Sequence, residues 1–179
     1  TTTKDWTKTA RCDNGCGTKN TVVDKGSKKT NPSQSPKIKI GQKLQNSVGV
    51  RCAITGKNTA ECIGYVGKKN SVTIPPSLKY MGVTYQITSI KTKAFSGNKN
   101  LRSIVIPSSI RTIGSQAFFK CKNLKKITIK TPYLSKKTVG AKAFKGIHAK
   151  AKIKVPKKQK KAYQKLLKAK GAGKKVTIK

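Results

Sequence analysis

Apolar residues along this chain follow three different rules. Residues 1–45 are rich in Thr, Lys, Asn, Gly and Ser and show no apolar period, and NPSQSP supplies two prolines among small polar residues. That composition favours an extended chain, so residues 1–45 read as a disordered linker or the remnant of a preceding module. Residues 46–70 then alternate. Reflecting VGVRCAI and AECIGYV about Lys57 sets Ile54 against Ala60, Cys52 against Cys62, Val50 against Gly64 and Val48 against Val66, all on one face. Two alternating arms with a Gly-Lys-Asn tip predict a β-hairpin whose apolar side needs a cover.

From Val72 a third rule takes over, a long period marked by Ala-Phe pairs. IKTKAF ends at Phe95, IGSQAF at Phe118 and VGAKAF at Phe144. Nine residues after each phenylalanine comes an apolar-x-apolar triplet: Ile104 and Ile106, Ile127 and Ile129, Ile153 and Val155. Leu101 and Leu124 fall six residues after the first two phenylalanines, and Val72/Ile74 and Val176/Ile178 extend the triplets at both ends. A short strand cannot bury its face alone; stacked on copies of itself, it forms a parallel ladder backed by the Ile, Ala, Phe and Leu positions. Proline after Ile74, Ile106 and Val155 ends each strand by removing a ladder donor.

Departures from the period predict further elements. Nine residues inserted at Lys79–Ile87, with Tyr80, Val83 and Tyr85 around Met81-Gly82, predict a second hairpin over 79–87, pairing with the first or extending an amino-terminal cap. Three extra residues around TPYLSKK are expected at a surface turn. At the other end, Pro156 opens KKQKKAYQKLLKAKG, where Ala162, Tyr163, Leu166 and Leu167 make an apolar stripe and Gly171 can stop a helix. The expected architecture is an α/β-type repeat solenoid over 46–179: repeats at 72–155, a β-hairpin cap before them and a helix cap at 156–179. Its competitor is an ordinary α+β domain with accidental internal similarity.

Charge changes the picture more than fold. Lys and Arg number 42 against four acids, for a net charge of +38, and no carboxylate side chain follows Glu61. The last two thirds of the chain thus lack the usual general acids, metal carboxylates and carboxylate nucleophiles, which argues against an enzyme. Cys12 and Cys16 in CDNGC suit half a zinc site, a local disulfide or a fragment of a lost domain, and no partner pair follows downstream. Cys52 and Cys62 are either a cross-hairpin disulfide or two small buried hydrophobes that stay reduced. No apolar run approaches the length of a membrane span. The first residues lack the apolar core of a secretion signal, and a start without methionine is expected of a piece from a longer protein.

The 23-residue spacing of Phe95 and Phe118 lies in the range of leucine-rich repeats. More specifically, Leu101, Ile104, Ile106, Pro107, Ile110, Ile113, Gly114, Ala117, Phe118 and Cys121 resemble, position by position, the BspA-like leucine-rich repeats of bacterial surface and secreted proteins. The lysine-rich ending is similar to the terminal cap of members from Gram-positive bacteria. The resemblance covers residues 46–179 and implies adhesion or protein interaction at the cell surface or outside the cell. It also places Cys121 in a core position, a packing residue in place of a nucleophile. His148, the only histidine, reads as an ordinary surface residue.

By alternation, the middle residues of the triplets, Thr73, Val105, Thr128, Lys154 and Thr177, should share the open sheet face as a possible ligand face. The partners expected are a host or bacterial surface protein or an anionic glycan or wall polymer, without a cofactor or metal. Lysine suits diffuse anions as a mobile point charge, whereas base reading favours arginine forks and strand binding favours exposed aromatics, so nucleic-acid affinity is expected to be nonspecific. The competing role is a rigid spacer or cap with no ligand of its own. A charge of +38 favours the monomer.

Overall fold

The computed structural model describes residues 39–179. The expected linker lies outside the described residues up to residue 38, as do Cys12 and Cys16. The strands are β1 (Lys43–Gln45), β2 (Val50–Gly56), β3 (Thr59–Tyr65), β4 (Ser71–Thr73), β5 (Ser77–Tyr80), β6 (Val83–Ile90), β7 (Ser103–Ile106), β8 (Thr112–Ile113), β9 (Lys126–Ile129), β10 (Lys152–Lys154) and β11 (Thr177–Ile178). One helix, α1, spans Lys160–Ala169 after a 3-10 turn at Lys157–Gln159. The triplet strands share one sheet, and beside it stands a mixed one, so the strands form two sheets. The first is mixed, in the order β1-β2-β3-β6-β5 with β8 also on β6; the second runs β11-β10-β9-β7-β4, every neighbouring pair parallel.

The mixed sheet is built from the two hairpins. β2 and β3 pair antiparallel around Lys57-Asn58, with Cys52 opposite Cys62 and Ile54 opposite Ala60. Simple reflection fails further out: a register shift between Arg51 and Cys52 sets Val50 against Tyr65 and moves Gly64 to Arg51. Val48 and Val66 are exposed. The second hairpin turns through Met81 and Gly82, with φ of 48° and 76°. Two left-handed residues match the right-handed twist of the flanking strands, which explains glycine here and leaves methionine in a conformation unusual for a side chain. β6 lies parallel to β3, joining the hairpins. β1, inside the expected linker, adds to the edge on β2, where Gly41 N–H donates to Ile54 O and Ile54 N–H to Gln42 O. Only Leu44 marks it in the sequence, and three residues are too short a window for alternation to show.

The repeats supply the second sheet and the layer behind it. Ile104 pairs with Val72 and Ile127, and Ile127 with Ile153, so the triplets' inward positions form columns. Behind them Phe95, Phe118 and Phe144 stack with centroid separations of 5.3 and 5.4 Å. The IxxIG segments form a column of their own, with Ile113 bonded in parallel to Ile90 through β6–β8 and bridged to Val139. The Ala-Phe segments are stacked turns tied by backbone bonds: Phe95 N–H donates to Ala117 O, Phe118 N–H to Ala143 O and Phe144 N–H to Lys170 O. Each such turn needs left-handed residues, found at Lys93, Gln116 and Lys142 before the phenylalanines and at Gly97, Lys120 and Gly146 after them.

The carboxyl-terminal cap differs in detail from expectation. Tyr163, Leu166 and Leu167 are buried, while Ala162, counted in the stripe, faces solvent. Gly171, with φ of 100°, ends the helix, and Ala172 N–H returns to Leu167 O. The Tyr163 hydroxyl donates to Thr131 O at 2.8 Å and accepts from Leu134 N–H at 3.0 Å. The inserted segment is thereby pinned to the helix, with Leu134 inside and Tyr133 outside, and is more than a loose surface turn.

Candidate functional site

Strand pairing fixes which side chains share the outward face of the parallel sheet. Thr73, Val105, Thr128 and Lys154 stand in one row, as alternation predicts. Thr177 does not join them. β11 pairs with β10 through Lys152↔Thr177 and Ile153↔Ile178, two residues out of step with the triplet count, so Thr177 stands in the row of Ser71, Ser103, Lys126 and Lys152. The partner of Lys154 is Lys179, whose N–H donates to Ile153 O while Val155 N–H donates to Lys179 O. The Val176 triplet follows the helix, not a repeat turn, which is why the spacing misplaces it.

This face is chemically uneven. On β4 and β7 it offers Ser71, Thr73, Ser103 and Val105; on β9, β10 and the final strand it offers Lys126, Lys152, Lys154 and Lys179, all exposed. Neighbouring strands lie about 4.8 Å apart and alternate residues about 6.6 Å apart along a strand, so these four lysines form a compact cationic lattice. Lys130 extends it, its N–H bonded to Ile106 O. More than half of all Lys and Arg fall after Ile110. Glu61 is the only carboxylate side chain among the described residues, and it sits on β3 in the other sheet. No carboxylate side chain among the described residues therefore lies on the lysine lattice's own sheet.

Two arginines and their surroundings were not singled out by sequence. Arg111 lies over the ring of Tyr133 at 3.6 Å, a cation–π pair whose aromatic member is exposed. Arg102 lines an open cleft of about 320 Å³ with Lys68, Asn70, Lys99, Asn100 and Asn123, at the turns that enter β4, β7 and β9. The NKNL and CKNL segments were the available signal for the cleft, although their leucines point to the core and drew the reading there.

The cysteines occupy packed positions. Cys52 and Cys62 face each other across β2 and β3, both buried, as free thiols. The hydrogen bond between them lowers Cys52 and, with burial, raises Cys62. Cys121 is pushed up to about 11 by burial and donates its thiol proton to Phe95 O. A thiol so held is protonated at neutral pH, unsuited to nucleophilic work. His148 is half-buried, its Nδ1 accepting from Lys150 N–H, so it is tied to its own turn. Among the described residues no group of three or more His, Cys, Asp or Glu side chains could hold a metal ion, and no helix is long and apolar enough to cross a membrane.

The stacked Ile and Ala-Phe columns carry a recognisable pattern: the family described as BspA type leucine rich repeat region matches residues 75–179 in six copies. The chain belongs to this family. None of the curated proteins shows significant similarity to it. Among solved structures, a leucine rich cell surface protein from Faecalibacterium prausnitzii A2-165 is similar over 70% of this chain and 38% of its own, at 23% identity and a TM-score of 0.50. A leucine-rich repeat protein from Bacteroides ovatus is 28% identical, over 60% of this chain and 34% of its own, with a TM-score of 0.46. One from Bacteroides capillosus is 18% identical over 76% of this chain and 98% of its own, with a TM-score of 0.51. The likeness to the first and third establishes a shared fold. This BspA-type chain spans well under half the length of the first two relatives.

Proposed function

We propose that this BspA-type repeat region is a noncatalytic binding module of a bacterial surface or secreted protein, and that its principal partner is an anionic glycan or wall polymer. The observation that carries this reading is the lattice of Lys126, Lys152, Lys154 and Lys179 on an outward sheet face that has no carboxylate side chain among the described residues. The leucine rich cell surface protein of F. prausnitzii, similar in fold, supports the location. Lysine ammonium groups on long stems hold diffuse polyanions without demanding one geometry, and binding of this type weakens steeply with salt. A partner protein is less favoured on the neutral half of the face, where Thr73 and Val105 offer none of the aromatic or arginine anchors that dominate interface energies. That same half supports the second reading, a rigid repeat solenoid acting as spacer or cap.

Retention of the purified chain on isolated Gram-positive walls, with and without their anionic polymers, tests the proposal. Binding should persist at physiological salt, vanish from stripped walls, and fall when Lys126, Lys152 and Lys154 are all changed to Gln. Retention unaffected by stripping or by the triple change would sink it. The register that sets Cys52 opposite Cys62 also supports a cross-strand disulfide in an oxidising medium, which intact mass under nonreducing conditions decides.

A further inference from the structure

The cleft beside Arg102 differs in kind from the lysine lattice. Its lining joins three repeat turns: Lys68 and Asn70 from the turn entering β4, Lys99, Asn100 and Arg102 from that entering β7, and Asn123 from that entering β9. The pairing Ser71↔Ser103↔Lys126 aligns these residues into columns, Lys68–Asn100–Asn123 and Asn70–Arg102. Hydrogen bonds as well as the buried Leu101 and Leu124 hold the framework beneath. Asn98 Oδ1 accepts from both Asn100 N–H and Leu101 N–H, the Asn123 side-chain amide donates to Lys99 O, and Asn70 O accepts from Arg102 N–H and Ser103 N–H. Counting from Lys126↔Lys152, the position equivalent to Asn123 is Ala149, so the amide column stops there.

This combination restricts what can bind. Three cations, one of them a planar fork, with no carboxylate side chain near them in sequence, call for an anionic oxygen group. Three amides on the same wall offer donors and acceptors together; a phosphate chain, an acceptor only, can use the donors alone, whereas sugar hydroxyls can use both. The lining has no aromatic or aliphatic side chain, which excludes base stacking and an apolar anchor. A volume of about 320 Å³ lies at the small end for ligand sites, enough for one or two sugar rings. We propose that this cleft is a discrete site for an acidic sugar residue, its carboxylate or sulfate on the Arg102 guanidinium with Lys68 and Lys99 alongside, and its hydroxyls on Asn70, Asn100 and Asn123. The proposal rests on the reading of the module as a polyanion binder and gives that binder a saccharide-selective element.

The test titrates the full chain, at physiological salt, with a uronic-acid tetrasaccharide, a sulfated tetrasaccharide, tetraglutamate and short polyphosphate, following backbone amide resonances. One or both saccharides should bind and shift the resonances of Asn70, Asn100, Arg102 and Asn123; the stronger of the two identifies carboxylate or sulfate as the anionic group. Arg102→Lys keeps the charge and loses the fork, and should weaken saccharide binding about tenfold, the scale of a bidentate contact. Asn100→Ala should weaken it as well. Lys160→Gln with Lys161→Gln, which removes two charges from the exposed start of α1, should leave it within about twofold. All these side chains are exposed, so each variant should keep the wild-type spectrum elsewhere. Tetraglutamate or polyphosphate binding as tightly as either saccharide, or Arg102→Lys and Asn100→Ala binding like wild type, would overturn the site. Wall retention surviving that result would leave the broader function standing.

Discussion

Phe118 is fully buried between Phe95 and Phe144, and its removal leaves a hole that two stacked neighbours cannot close. Phe118→Ala should cost about 3–5 kcal/mol, read as a fall in the denaturation midpoint. The phenylalanines were legible because their spacing repeats. The left-handed residues between them were not: Lys93, Gln116, Lys120 and Lys142 carry no sequence mark of their conformation, since the stacked turns impose it. Gly97 and Gly146 hold the place that Lys120 takes in the middle repeat. Lys120→Gly should therefore keep or raise stability by up to about 1 kcal/mol, while Lys120→Val, stiff at its β-carbon, should lower it. At Cys121 burial lifts the thiol from 9.0 to about 11, so the unfolded chain ionises first. Its contribution is intact below pH 9 and is lost as pH rises toward 11. Over that window the wild type should lose stability relative to Cys121→Ala at about 1 kcal/mol per pH unit, measured by denaturant titration of both proteins in parallel.

At the scale of elements, the repeat turns and both hairpins could be read from alternation and insertion length, whereas the division into two sheets could not. β6 carries the reason. It pairs antiparallel with β5, parallel with β3 and parallel with β8, and only tertiary contact decides that one strand serves hairpin and repeat together. Within the repeats the motif glycines have a measurable duty. A β-carbon on Gly114 would overlap the backbone of Lys91 and Thr92, and one on Gly140 the backbone of Ser115. Gly114→Ala should thus separate adjacent repeats and show a clearly lower thermal midpoint, unlike Gly82→Ala, whose β-carbon meets nothing within 4 Å and whose penalty comes from its φ alone. On the outward face, Val105→Glu with Thr128→Glu should leave the fold intact, because both side chains point away from the core. The same change should weaken retention on anionic polymers by bringing carboxylates beside Lys126 and Lys154; unchanged retention by the folded variant would move the binding face elsewhere. The lysine rows were only half legible, as Lys179 and Thr177 exchange places once β11 slips against the triplet count.

For the molecule as a whole, a charge of +38 must be contained by a core of ordinary size. Mutual repulsion of the lysines opposes the folded state and is screened by salt, so the thermal midpoint should rise from low to physiological ionic strength and rise further with a soluble polyanion. A midpoint that falls with salt would show that repulsion is a minor term. The cations are also unevenly placed, crowding the repeats after Ile110 and thinning over β4 and β7. A body charged in this way carries a dipole as well as a net charge, and a plane of negative charge exerts a torque on it before contact. Residues 39–179 should then settle with β10 and β11 toward the plane and the β4 edge outward. Adsorbed molecules would share one heading, the way filings align in a field, and the cleft at Arg102 would meet what arrives from the free side.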